Sequence, residues 1–215
     1  MSWGILFDLD GTLLDSLGDL TDAVNYTLAH YGCPARTREE IATFLGNGAL
    51  HLIKMSLPGK DTDPDPEEAL AFYQPYYRAH CNIKTGPYAG ILPALKEHSE
   101  KYPLAIVTNK PHGAAVPLCK AQFGDIYALG EETGCPRKPA ADMLFKAMAA
   151  IGVDKCVYVG DTEVDILTAK NAGMPCLTVT WGFRTRAQLL AAGAEHLCDD
   201  PMDMPKMIEE IRNGK

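Results

Sequence analysis

Two carboxylates, Asp8 and Asp10, close a short apolar run, Trp3-Gly4-Ile5-Leu6-Phe7, near the start of the chain. A continuous apolar run of this length reads as a strand buried on both faces, the kind found inside a parallel sheet. Side chains alternate along a strand, so Asp8 and Asp10 set out on the same face, and Gly11 lets the chain turn away sharply. Two anions at the tip of a buried strand repel each other and lose hydration unless a cation lies between them. A metal, a phosphate-binding lysine, or both would serve. A plain Asp-Gly turn has the same local pattern.

Three further pieces follow in order. Thr108 ends the run Leu104-Ala105-Ile106-Val107-Thr108-Asn109, where a hydroxyl followed by exposed backbone N–H groups suits phosphate oxygens; taken alone, a turn or helix cap is the commoner role for such a residue. Lys138 stands in Cys135-Pro136-Arg137-Lys138-Pro139, fixed by a proline on either flank of the segment. It reads as a solvated surface lysine or as a fixed charge that neutralises buried anions. Gly160-Asp161-Thr162-Glu163-Val164-Asp165 follows the strongest downstream apolar run. If Thr162 caps a helix, Asp165 lies one turn in and faces back toward Asp161 at the strand tip. Such a set of oxygens suits Mg²⁺, which takes a few carboxylates and keeps several waters. Both acids also favour a helix N-terminus for its dipole alone. Acids at the tips of two separate strands favour the metal.

The elements that must position these groups alternate. Beyond residue 100 the strand-like runs Leu104–Asn109, Ile126–Leu129, Cys156–Asp161 and Cys176–Thr180 are separated by helical spacings, Leu144/Ala147/Ile151 and Val164/Leu167/Ala172, the latter closed by Gly173. That pattern predicts an α/β doubly wound parallel sheet with ligands beyond the carboxyl ends of its strands. Residues 15–80 contain no convincing strand. Leu17, Leu20, Val24 and Leu28 keep helical spacing with Ser16 as N-cap; Leu50, Ile53 and Leu57 mark a second helix. Asp65-Pro66-Glu67-Glu68 starts a third, which Pro75 is expected to kink or split. An all-helical block inserted after the first strand reads as a cap. The expected division is a core of residues 1–14 and 84–215 and a cap of residues 15–83.

In this order, Asp8-Leu9-Asp10-Gly11-Thr12, Thr108, Lys138 and Gly160-Asp161 with Asp165 resemble the four motifs of the haloacid dehalogenase superfamily of phosphotransferases. The resemblance runs over nearly the whole chain. It implies a strand at residues 4–8 flanked by those ending at Asn109 and Asp161. It implies Asp8 as the nucleophile that becomes an aspartyl-phosphate, and Asp10 as the acid and base. Thr108, Asn109 and Lys138 would hold the phosphoryl group. Mg²⁺ would be bound by the Asp8 carboxylate, the Asp10 backbone carbonyl and Asp161, with Asp165 joining directly or through water. Dehalogenases lack the second Asp, and phosphonatases replace it and add a cap lysine. Asp10 therefore favours phosphate ester hydrolysis and leaves Lys54 an ordinary residue. The cap run Phe44-Leu45-Gly46-Asn47-Gly48 resembles the specificity loop of phosphoglycolate phosphatases, with Gly46, Asn47 and Gly48 as substrate-binding positions. After Lys138-Pro139 the family usually has a second Pro where this chain has Ala140.

The expected substrate is a small phosphorylated metabolite, first of all 2-phosphoglycolate. Sugar phosphates, nucleotides and pyrophosphate are rivals within the class. A phospho-accepting receiver module is a rival outside it, disfavoured by the chain's length of 215 residues and its helical insertion. A net charge of -8 argues against nucleic acid as a partner. Seven scattered cysteines suit reduced thiols in the cytoplasm, and neither a leader nor a membrane span is expected.

Overall fold

The computed structural model describes residues 2–214. Its strands are β1 (Trp3–Phe7), β2 (Leu14–Asp15), β3 (Gly86–Pro87), β4 (Leu104–Pro111), β5 (Tyr127–Glu131), β6 (Lys155–Gly160), β7 (Cys176–Val179) and β8 (His196–Cys198). Six of them form one sheet in the order β5-β4-β1-β6-β7-β8, with every neighbouring pair parallel. Alternation along β1 places Ile5 and Phe7 in one apolar layer and Leu6 in the other, which explains its unbroken hydrophobic run. β4 divides in the same way, with Ile106 on one side and Ala105 and Val107 on the other.

The helices are α1 (Leu17–His30), α2 (Arg38–Phe44), α3 (Gly48–Ser56), α4 (Pro66–His80), α5 (Ile91–Ser99), α6 (His112–Phe123), α7 (Asp142–Ile151), α8 (Glu163–Ala172), α9 (Arg186–Ala191) and α10 (Met204–Arg212). The first four form a block with its own apolar cluster, built on Leu20, Val24, Ile41, Ile53, Tyr73 and Tyr77. The chain enters and leaves this block side by side, because β2 and β3 pair antiparallel, Leu14 with Pro87 and Asp15 with Gly86. Asp19 ties the exit segment to α1. Its carboxylate accepts from the backbone N–H of Ile83, Lys84 and Thr85 at 3.0 Å and from the Thr85 hydroxyl at 2.7 Å.

Three local expectations change. Ser16 does not cap α1 through its side chain; its hydroxyl is buried without a hydrogen-bond partner. Pro75 does not split α4, which runs unbroken from Pro66 to His80. Pro75 lies on the exposed side, where water can satisfy the carbonyl it leaves unbonded, while Tyr73 and Tyr77 pin the opposite side. The seven-residue α2 is an addition, started by reciprocal hydrogen bonds between Thr37 and Glu40. Among the described residues no helix is long and apolar enough to cross a membrane.

Candidate active site

The order of the sheet reverses at β1, which lies between β4 and β6. Such a reversal opens a crevice at the carboxyl ends of the central strands. Asp8 and Asp10 follow β1, Thr108 and Asn109 lie on β4, Asp161 follows β6, and Lys138 precedes α7. All these residues except Asp161 line one solvent-open cavity, as does Asp165 on α8. The helical block supplies the other wall with Leu20, Leu45, Gly46, Gly48, Ala49, Leu52, Tyr73 and Tyr77. Asn47 and Lys54 are not among the lining residues, and Lys54 is exposed.

Lys138 is the hub. Its ammonium donates to Asp8 Oδ1 at 2.6 Å, to Asp165 Oδ1 at 2.8 Å and to the Tyr158 hydroxyl at 2.8 Å, and the residue is 3% exposed. Asn109 fixes the lysine's backbone from both sides, accepting from its N–H at 2.9 Å and donating to its carbonyl at 2.9 Å. The same Asn109 amide donates to the Gly46 carbonyl at 3.0 Å. Its side chain is thus committed to Lys138 and to the helical block. Thr108 Oγ1 accepts from the Lys110 N–H at 3.2 Å, which leaves its own proton free to donate.

Asp165 reaches back as its spacing requires. Its Oδ2 accepts from the Thr162 N–H at 3.1 Å and from the Thr162 hydroxyl at 2.7 Å. Asp161 is fully buried and, among the described residues, has no cationic partner; Thr12 donates to it at 3.2 Å and the Phe183 N–H at 2.7 Å. The backbone must come very close on this side. A Cβ added to Gly182 would lie 2.3 Å from Asp161 Oδ2, so only glycine fits.

Burial pushes the Asp8 carboxyl up to about 7, outweighing the pull of Lys138. Burial, then Asp165 and Asp8, raise Asp161 well above the usual carboxylate range. Burial acts on Asp165 too, but Lys138, Thr162 and Tyr158 together hold it below the usual value. Asp10 is paired instead with Lys110, at 2.9 and 3.1 Å to its two oxygens.

Four carboxylates (Asp8, Asp10, Asp161, Asp165) thus face two ammonium groups (Lys110, Lys138). One oxygen each from Asp8, Asp161 and Asp165 falls within 4.8 Å of the others. Hard oxygen donors carrying two uncompensated negative charges fit a hard dication such as Mg²⁺. The Asp10 carboxylate, turned to Lys110, stands outside this cluster.

The sequence alone gave no role to Lys110, Tyr158 or Arg184. Lys110 was detectable, since it shares a strand face with Thr108. Arg184 pairs with Glu163 at 2.7 Å and donates to the carbonyls of Ala42 and Leu45, so it joins the sheet to the helical block.

Residues 5–179 match the family described as haloacid dehalogenase-like hydrolase. The chain belongs to that family. A phosphoglycolate phosphatase of Cereibacter sphaeroides is 37% identical over 84% of this chain and 86% of its own length. A plasmid-borne phosphoglycolate phosphatase of Cupriavidus necator is 33% identical over 97% of this chain and 94% of its own. A solved structure from Lactobacillus delbrueckii subsp. bulgaricus covers 95% of this chain and 97% of its own, with 36% identity and a TM-score of 0.85. In this haloacid dehalogenase-like chain the first motif follows the central strand β1, with the second and fourth on its neighbours β4 and β6.

Proposed function

We propose that this hydrolase cleaves a small phosphate monoester, 2-phosphoglycolate first among candidates. The observation that carries the reading is the buried group of Asp8, Asp161 and Asp165 around Lys138 at the mouth of the parallel sheet. The names of its relatives support the substrate. Mg²⁺ bound by Asp8, Asp161 and the Asp10 carbonyl, with Asp165 beside them, would supply positive charge that offsets repulsion between carboxylate and phosphate.

An Asp8 oxygen attacks phosphorus and the ester P–O bond breaks; Asp10, which pairs with Lys110 as a carboxylate at rest and must take up a proton before this step, gives that proton to the departing oxygen. Asp10, now a carboxylate, takes a proton from water as that water attacks the aspartyl-phosphate. Inorganic phosphate leaves and the Asp8 carboxylate is restored. The Thr108 hydroxyl donates to a transferring oxygen, while Lys138, whose protons go to Asp8, Asp165 and Tyr158, offsets negative charge beside it, and Asn109 keeps Lys138 in place. The helical block excludes bulk water from the intermediate.

The first turn of α3 supports a carboxylate-bearing substrate. Asn47 makes no side-chain cap there, so the helix's first N–H groups lack that partner, and Gly48, Ala49 and Leu52 line the cavity. Among the described residues, the lining that the helical block contributes carries no charged side chain for a second phosphate. All seven cysteines are free, which supports a reducing, cytoplasmic setting.

A panel of phosphate esters with Mg²⁺ tests this reading. Highest kcat/KM on 2-phosphoglycolate supports it. A preference for sugar phosphates, nucleotides or pyrophosphate would replace the substrate, and no turnover of any ester would remove the activity.

A further inference from the structure

Lys110 is a buried lysine that the chemistry above does not use. Its ammonium contacts both oxygens of Asp10, at 2.9 and 3.1 Å, and its third partner is the hydroxyl of Tyr77. The Tyr77 ring lies beneath the same charge, 4.7 Å from Nζ to the centroid. An ammonium has three protons, and these three acceptors account for all of them. Among the described residues, Lys110 is the only side chain that hydrogen-bonds the Asp10 carboxylate.

The three residues come from different places. Asp10 follows the central strand, Lys110 lies one residue before the end of the neighbouring one, and Tyr77 belongs to α4 of the helical block. A lone carboxylate samples several side-chain rotations. A lysine gripping both oxygens leaves one. Tyr77 can grip that lysine only while the helical block sits over the sheet.

Resting on the phosphatase reading, we propose that Lys110 is a positioning residue that holds the Asp10 carboxylate in line for proton transfer, and that Tyr77 makes this hold depend on seating of the helical block. Lys110 acts through Asp10 and not on phosphate. Lys138, by contrast, touches the nucleophile itself.

The test uses the full chain with Mg²⁺ and two substrates, 2-phosphoglycolate and p-nitrophenyl phosphate, whose leaving group needs little protonation. The variants are Lys110→Met, Tyr77→Phe and each of these combined with Asp10→Asn. Lys110→Met should lower kcat on phosphoglycolate by on the order of 10²-fold with KM within about threefold, and cost markedly less on the aryl ester. In the Asp10→Asn background the same change should cost less than about twofold, since a residue acting through Asp10 has nothing left to act on. Tyr77→Phe should give a smaller loss, about five- to tenfold, of the same substrate dependence.

A raised KM with unchanged kcat would make Lys110 a substrate-binding residue and overturn the proposal. So would an undiminished loss beside Asp10→Asn, or equal losses on both esters, either of which marks a structural role. An unaltered kcat in Tyr77→Phe overturns the dependence on the helical block. Should Lys110→Met fail to fold, Tyr77→Phe with and without Asp10→Asn interrogates the same chain of contacts. Failure of the phosphatase reading shows separately, as an inactive unmodified protein.

Discussion

Arg184 donates a hydrogen bond to the carbonyl of Leu45 at 2.8 Å, although the two residues are 139 positions apart. A second N–H of the same guanidinium reaches the Ala42 carbonyl at 2.9 Å, and Glu163 holds the group from the sheet side. Arg184 therefore satisfies end carbonyls of α2 that the helix itself cannot. Arg184→Ala should weaken the attachment of this edge by about 2 kcal/mol, the worth of hydrogen bonds from a charged donor. Hydrogen exchange checks it. Amides of residues 42–49 should exchange faster while those of β1 do not, and unchanged exchange would show that the block is held elsewhere.

Asp8→Asn should remove turnover by on the order of 10⁴ or more and leave the fold in place. The amide oxygen can still accept from Lys138, and a carboxylate that burial disfavours is gone. Activity and melting temperature measured on one preparation decide the matter. Substantial residual turnover takes the nucleophile's role from Asp8.

Asp161→Asn should act in opposite directions on stability and on metal binding. The carboxylate is buried beside Asp8 and Asp165, and its neutral replacement can keep the contacts with Thr12 and the Phe183 N–H. Without metal, the variant should melt higher, by about 2–4 °C for each kcal/mol of repulsion relieved. Mg²⁺ should raise the melting temperature of the unaltered protein and hardly move that of the variant. An equal Mg²⁺ response in both would place the ion away from Asp161.

His98 provides a pH dependence unrelated to the reaction. Its ring is buried against Phe7 with Nε2 unpartnered, and burial lowers its pKa from 6.5 to about 4. The folded state thus prefers the neutral ring. The resulting stability is fully present above pH 6.5 and is lost as pH falls toward 4. From pH 7 to pH 5 this one group should remove about 2 kcal/mol. Urea midpoints at the two values should differ less in His98→Leu than in the unaltered protein.

Gly48→Val should separate substrates. Gly48 has φ +80°, and an added Cβ would lie 3.0 Å from Glu131 Oε2 and 3.2 Å from Arg137 Nη1. The start of α3 must shift. Turnover of phosphoglycolate should fall at least about tenfold, while p-nitrophenyl phosphate, which does not use the α3 N–H groups, should stay within about threefold. Equal losses would make the segment a folding element only.

What was legible in the sequence is what depends on short range. The central strand was legible because a run buried on both faces must be apolar. Asp165 was legible because one helical turn returns a side chain to the strand tip. The contribution of Arg184 was not, since its partners are backbone carbonyls in a distant segment and carbonyls have no sequence signature. Nor was α2, whose one buried side chain, Ile41, makes no periodicity. That α4 would run on past Pro75 without splitting was not legible, because it depends on which side of α4 meets solvent, a matter set by Tyr73 and Tyr77 packing elsewhere.

The pairing of Asp15 with Gly86 has a consequence for the segment between them. Everything between those two residues leaves and rejoins the sheet at a single doorway, and the entropic cost of closing a loop grows only slowly with its length. The inserted segment can therefore vary in length away from Gly46, Tyr77 and Leu45, its points of contact with Asn109, Lys110 and Arg184, without moving the ends of the chain that join the sheet.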